Sequence, residues 1–210
     1  MHLRRCITVG DKNLLGLLVK FPEPGRVKTR IAKDSGRMYA AAAYKRIAEK
    51  VFQNTVAEAG EFERIIFYAP ANRGREFMSW IPGGRVVPQR GRGIGERMAN
   101  ALKELFSRGA SKAIIAGVDI PELGVHVIKD ALRKLDAADI VLGPAADGGY
   151  YLIGMKSLHE ELFRNISWST ERVFRQTVSV ADAIKLRYET VITLSDVDTI
   201  EDLKRFEGAK

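Results

Sequence analysis

Two aspartates stand where a strand-and-loop chain places its chemistry. Asp119 closes the apolar run Lys112–Val118 and is followed by Ile120 and Pro121. Asp147 lies between the apolar runs Ile140–Leu142 and Tyr150–Met155 and is followed by Gly148 and Gly149. A carboxylate just past a buried strand points into the crevice where α/β sheets bind ligands. Magnesium takes one or two carboxylates together with phosphate oxygens and water, and Asp119 can supply one. A plainer role is also open to each. Asp119 can cap a turn before Pro121, and Asp147-Gly-Gly makes a good hairpin turn. Because both fall at the same expected sheet edge, a shared metal or acceptor role gains weight.

The phosphate side of such chemistry has its own candidate, Lys20-Phe-Pro-Glu-Pro-Gly-Arg-Val-Lys-Thr-Arg30. It carries Lys20, Arg26, Lys28 and Arg30 against one acid, Glu23. Pro22 and Pro24 stop regular structure, and Gly25 permits a tight turn. A strand, a basic Gly-containing loop and a helix together can hold phosphates. With a helix pattern starting only at about Ser35, the loop itself would do most of the holding. Gly25-x-x-Lys28-Thr29 is too short for a Walker A loop and lacks the upstream glycine. A merely solvated basic loop is the competing reading. A second stretch, Gln89-Arg-Gly-Arg-Gly-Ile-Gly-Glu-Arg-Met98, has alternating glycines that let a backbone approach a ligand closely. It is not a dinucleotide fingerprint, and it also suits a flexible turn before a helix.

The acid-rich Ser195-Asp-Val-Asp-Thr-Ile-Glu-Asp202 reads as a helix start. Asp198 or Thr199 is expected at the N-cap, with Glu201 and Asp202 in the first turn. That structural role is preferred over metal binding for Asp198, while Asp196 stays open. His2, His126 and His159 are scattered, and none pairs with Cys6 or another histidine at ligand spacing, so neither a zinc site nor a Cys–His catalytic pair is expected. Trp80 is expected to pack. Trp168, in Asn165-Ile-Ser-Trp-Ser-Thr170, either packs or lines a pocket.

Positioning these residues is the task of alternating strand and helix patterns. Strands are expected at Leu14–Val19, Arg64–Tyr68, Val86–Pro88, Lys112–Val118, Ile140–Leu142, Tyr150–Met155 and Val191–Leu194. Helices are expected at Ser35–Ala59, Arg73–Trp80, Ile94–Arg108, around Val125–Leu135, at Thr170–Ala183 and at Ile200–Phe206. Asp34 or Ser35 would cap the first helix, and Gly60 would end it. The alternation indicates an α/β sheet, mostly parallel and covered on both faces, a three-layer α/β/α sandwich. At 210 residues the chain is read as one domain, with residues 1–13 as an extension. Hydrophobic residues make up 46%, and no apolar run nears the ~20 residues of a membrane span, so no membrane insertion is expected. The single cysteine excludes a disulfide framework. Met1–Asn13 has two arginines but no apolar core, so it is not read as a secretory signal, and a cytoplasmic location is expected. A net charge of +8 suits anionic partners, namely nucleotides, phosphorylated substrates or nucleic acid, or serves solubility alone.

Taken together, the motifs resemble the nucleotide-diphospho-sugar transferase superfamily, with its GT-A-like α/β fold. The similarity is greatest to its uncharacterised bacterial and archaeal glycosyltransferase-like branch, related to molybdenum-cofactor and phospholactate guanylyltransferases. The pieces that carry it are Lys20–Arg30, Gly95-Glu-Arg-Met98, Gly117-Val-Asp-Ile-Pro121, Gly143–Gly154, Ile166–Thr170 and Asp196-Val-Asp-Thr199. They occur in the family's order along residues 14–206. The resemblance implies catalytic roles for Lys28, Asp119 and Asp147. It implies donor contacts from Lys20, Pro24, Gly25, Arg26, Thr29, Arg30, Gln89, Gly95 and Arg97. Asp119 would hold Mg2+ or Mn2+, with Asp147 at the acceptor or a second metal position. Gly148, Gly149, Tyr150 and Trp168 would face the acceptor. One departure stands out: the family's Gly-Asp-Leu-Gly is Arg92-Gly93-Ile94-Gly95 here, so Gly93 replaces an acid. The expected partners are a nucleotide and a small-molecule acceptor of unknown identity, and the oligomeric state is open. Nucleotidyl transfer is favoured, since the basic loop exceeds what a sugar donor's diphosphate needs. Glycosyl transfer is the alternative. A non-catalytic nucleic-acid module is disfavoured, because Asp119 and Asp147 among the basic loops would repel a phosphate backbone.

Overall fold

A computed structural model of the chain describes residues 12–58 and 60–208. Most of the expected extension, with Cys6 and His2, lies outside them. In chain order come β1 (Asn13–Lys20), α1 (Thr29–Ser35), α2 (Arg37–Asn54), β2 (Glu63–Ala69), α3 (Gly74–Trp80) and β3 (Arg85–Pro88). Then follow α4 (Ile94–Ser107), β4 (Lys112–Gly117), α5 (Val125–Lys134), β5 (Ile140–Pro144), β6 (Tyr150–Met155), α6 (Val173–Ala183), β7 (Tyr188–Thr190) and α7 (Ile200–Gly208).

The strands form one seven-stranded sheet in the order β3-β2-β1-β4-β6-β5-β7. All neighbours are parallel except β6, which runs against both β4 and β5. This is the mostly parallel α/β architecture expected from the pattern. β1 is an inner strand between β2 and β4, and its side chains alternate between two cores, as strand geometry requires. Leu15, Leu17 and Val19 join the core that includes Tyr44 and Val51 of α2 and Ile128 of α5. Leu14 joins the opposite core with Met98, Leu102 and Leu105 of α4. Successive strands fill one flank of β1 as far as β3, and the chain then crosses to the other flank with β4. The carboxyl ends of β1 and β4 therefore sit side by side at a topological switch point, where such sheets bind ligands.

Several expected boundaries are corrected, among them the end of the first helical stretch, at Asn54 and not Ala59. The first helix begins at Thr29, not Ser35, and Gly36 at φ 87° splits it into α1 and α2. A left-handed residue ends one helix and redirects the next. The phosphate-loop candidate is thus shorter than expected and runs straight into a helix. The last strand is Tyr188–Thr190, not Val191–Leu194. As an edge strand it is largely exposed, so it lacks the apolar signature of the inner strands. Val191 N–H still donates to Leu142 O, and Leu194 forms a single bridge to Ala145. α6 begins at Val173 because Thr170 closes a turn first: its hydroxyl donates to Ser167 O and accepts from Arg172 N–H.

β7 is pinned at its start by Asp139, whose Oδ2 accepts from Arg187 N–H at 2.9 Å and Nε at 3.3 Å. Hydrogen bonds from Arg187 hold the Asp139 carboxyl below the usual carboxylate range. A lowered native pKa gives stability that is present above the unfolded value of 3.8 and lost as pH falls through the native value. Asp139→Asn is therefore expected to lower the thermal midpoint at pH 7, and the gap from wild type should close as pH drops below 3.8. An equal gap at all pH values would assign the loss to packing instead.

Candidate active site

The turn after β1 delivers Lys28 in the left-handed region, φ 45° and ψ 51°, a conformation that costs a non-glycine residue roughly 1–2 kcal/mol. What holds it there is its side chain, only 4% exposed, with Nζ 2.5 Å from Asp119 Oδ1 and 2.9 Å from Asp198 Oδ1. Burial acts to lower the pKa of this ammonium, but Asp119 and Asp198 outweigh it and hold the pKa above the usual value. Arg30 adds a longer contact to Asp198 Oδ2 at 3.5 Å.

Asp198 is the main correction to the sequence reading. Of the two residues expected at the N-cap of α7, Asp198 does not cap it and Thr199 does, its hydroxyl accepting from Asp202 N–H at 3.2 Å, while the Asp202 carboxylate accepts from Thr199 N–H at 2.8 Å. This reciprocal capping box leaves Asp198 to the site. The preceding chain is stitched down by Leu194 N–H to Pro144 O, Ala146 N–H to Leu194 O, and Val197 N–H to Asp119 O. Val197 is buried with Ile31, Ile47 and Leu203. The alternation Asp196-Val197-Asp198 held the signal: in extended chain a buried Val sends both flanking acids to the opposite side. Burial, then the charges of Asp198 and Asp147, push the Asp196 carboxyl up to about 6. Burial acts on Asp198 the same way, but Lys28 overrides it and holds that carboxyl below the ordinary range.

Two adjoining cavities meet at Asp119 and Asp198. The first, about 550 Å³, is basic and takes in Lys20, Arg26, Lys28, Thr29, Arg30 and Arg97. Tyr44 lies in its wall, its hydroxyl accepting from Lys20 N–H at 2.9 Å. Sequence reasoning passed over Tyr44 because it sits on the buried face of a helix. Gln89 also lines this cavity, but its amide nitrogen is used on Val19 O and Phe67 O, tying strand ends together. The second cavity, about 530 Å³, takes in Asp147, Gly149, Tyr150 and Trp168. Tyr150 presents its ring; burial pushes its hydroxyl's pKa up, and that hydroxyl lies beside Thr177 with no well-formed hydrogen bond.

Pro24, Gly25, Gly95 and Gly148 line neither cavity and shape the walls instead. Gly148, at φ 87°, leaves no room for a Cβ against the Glu171 backbone. At Gly95 a Cβ would lie 2.5 Å from the Trp168 indole nitrogen. Gly95→Val is therefore expected to displace Trp168 from the second cavity and shift the tryptophan emission, to which Trp80 is the only other contributor. An unchanged spectrum would show that the loop absorbs the side chain.

A larger cavity, about 870 Å³, lies behind Asp196 between α2 and α7. In it Arg46 pairs with Glu207 and Arg205 with Asp202; it lies away from the carboxyl end of β1, whereas the Asp119–Asp198 junction sits at the switch point between β1 and β4. Among the described residues, no three His, Cys, Asp or Glu side chains gather as ligands for one metal, and no helix is long and apolar enough to cross a membrane. The convergence of Asp119 and Asp198 on one ammonium does match a cation bound by two carboxylates and completed by phosphate oxygens.

Residues 48–170 match a family described as "Uncharacterized protein conserved in bacteria (DUF2064)". No curated protein matches the sequence. A crystal structure from Desulfovibrio desulfuricans G20, provisionally named a nucleotide-diphospho-sugar transferase, is 32% identical, with a TM-score of 0.87 over 92% of this chain and 85% of that one. At 12% identity, CMP:2-keto-3-deoxy-manno-octonic acid synthetase complexed with CTP superposes with a TM-score of 0.57, covering 94% of this chain and 98% of the other. Rv0371c of Mycobacterium tuberculosis H37Rv, complexed with manganese, gives 0.55 at 14% identity over 94% and 99%. The last two likenesses are of fold.

Proposed function

Given that the chain belongs to the DUF2064 family and has the GT-A-like fold, we propose that it is a divalent-metal-dependent transferase using a nucleotide-activated donor, with nucleotidyl transfer as the first reading. In that reaction an acceptor oxygen forms a bond to the α-phosphorus of a nucleoside triphosphate. The bond from that phosphorus to the bridging oxygen breaks, pyrophosphate leaves, and a hydroxyl acceptor gives up its proton. The observation that carries this reading is the junction itself: Asp119 and Asp198 converge on one cation where a basic cavity meets an acidic, aromatic one.

Lys20, Arg26, Arg30 and Arg97 would hold the phosphates, and Asp119 with Asp198 would hold Mg2+ or Mn2+. When bound, the ion offsets charge building on the phosphate oxygens. The chain's own part is to fix the reacting atoms and present charges that need no rearrangement. A cytoplasmic setting belongs with this reading, since nucleoside triphosphates are held inside the cell. Glycosyl transfer from a nucleotide-sugar is the second reading, favoured by the Trp168 and Tyr150 rings of the second cavity.

A thermal-shift panel of nucleoside triphosphates and nucleotide-sugars, with and without magnesium, separates the readings. A ligand at ~100 times its Kd adds about 2.7 kcal/mol. Magnesium-dependent stabilisation by one triphosphate is expected. Stabilisation only by a nucleotide-sugar would make the chain a glycosyltransferase, and no response to either would remove the proposal.

A further inference from the structure

The second cavity differs in chemistry from the first. Its floor is apolar, from Leu18, Met98, Ile153 and Val173. One wall is aromatic: Trp168 meets Tyr150 edge to face, with ring centroids 6.2 Å apart. Four carboxylates line it, from Asp147, Glu171, Asp119 and Asp198, and Arg30 is the one basic side chain among its lining residues. The Trp168 loop is held by Ser167 N–H donating to Gln176 Oε1 at 2.8 Å. Asp147 is fixed by accepting from Gly149 N–H at 2.9 Å.

We infer that this cavity takes the acceptor, and that the acceptor is an uncharged ring compound bearing several hydroxyls, a sugar or cyclic polyol, not a phosphorylated one. The inference rests on the transferase reading of the first cavity. Ionised carboxylates only accept hydrogen bonds, so Asp147 and Glu171 suit hydroxyl donors. A phosphate beside them would add a like charge that Arg30, already in contact with Asp198, does not balance. The indole face and apolar floor suit the C–H face of a ring, and a few placed polar groups on apolar walls are what orient a small ligand. A loop already fixed in the binding shape loses little freedom on binding.

The test titrates the full chain with methyl α-D-glucopyranoside, methyl α-D-galactopyranoside, methyl α-D-mannopyranoside and myo-inositol, each against a phosphorylated counterpart, using saturation-transfer NMR. At least one neutral compound is expected to bind tenfold or more tightly than its phosphate ester. Trp168→Ala should weaken that binding at least tenfold. Asp147→Asn, at an exposed position that leaves the fold intact, should weaken it severalfold, and Asp147→Lys should narrow the gap to the phosphorylated compound. A phosphorylated compound binding more tightly than its neutral partner would overturn the inference, as would neutral binding that Trp168→Ala leaves unchanged. Binding of a magnesium–triphosphate with no neutral compound bound would remove the acceptor class and leave the transferase reading standing. Neutral binding with no nucleotide bound would remove the transferase reading, and with it the name acceptor, leaving a plain site for neutral polyols.

Discussion

Asp119→Asn is expected to cut turnover at least 100-fold while the protein stays folded, measured as pyrophosphate release with the triphosphate that the thermal-shift panel selects. Removing one preorganised charge from a transfer site costs about 100- to 1,000-fold. The fold survives because Lys28 keeps Asp198 at 2.9 Å, so its buried ammonium is still paired. The amide also keeps the shape of the carboxylate, and Val197 N–H bonds the backbone carbonyl of Asp119, not its side chain. Asp198→Asn should follow the same pattern. A variant with near-normal turnover at either position would remove that carboxylate from the proposed metal site.

Lys28→Met should behave differently, with a measurable loss of stability. Truncating one member of a buried ion pair costs up to 3–5 kcal/mol, because the partner charge is left uncompensated. Here the carboxylates are 47% and 37% exposed, so water screens them and about 1–3 kcal/mol is expected. Two carboxylates left facing each other should then bind a divalent cation in the ammonium's place. Manganese is therefore expected to raise the thermal midpoint of Lys28→Met by more than it raises that of wild type. Equal shifts would show that the metal and the ammonium do not compete for one position.

Much of the fold was legible because inner strands and helix faces declare themselves by burial. Leu14–Val19 and Lys112–Val118 read as strands covered on both faces, and the spacing of Met98, Leu102 and Leu105 marked the buried side of α4, although Ile94, expected on that face, is exposed. What was not legible depended on contacts far along the chain. Gly36 could break a helix or sit in one, and only the packing of α1 against α7 decides. Polar Tyr188–Thr190 pairs at a sheet edge where no apolar signal is needed. The Asp119 and Asp147 ends were placed correctly at one edge of the sheet, and of the two residues expected at the cap of α7, Thr199 takes it with Asp202 while Asp198 does not. Local rules weigh a residue against its neighbours in sequence, and Lys28 and Asp198 are 170 positions apart.

That separation sets an order of events during synthesis. A ribosome adds roughly 5–20 residues per second and domains organise from their N-terminal side. The sheet's centre, β1 with β2 and β4, can therefore assemble while the stretch bearing Asp196 and Asp198 is still unmade. Until that stretch emerges, Lys28 has Asp119 alone, and Ile31 and Ile47 lack Val197 and Leu203 above them. The nascent chain thus carries a half-built Lys28–Asp119–Asp198 cluster, which is completed as one of the last acts of folding.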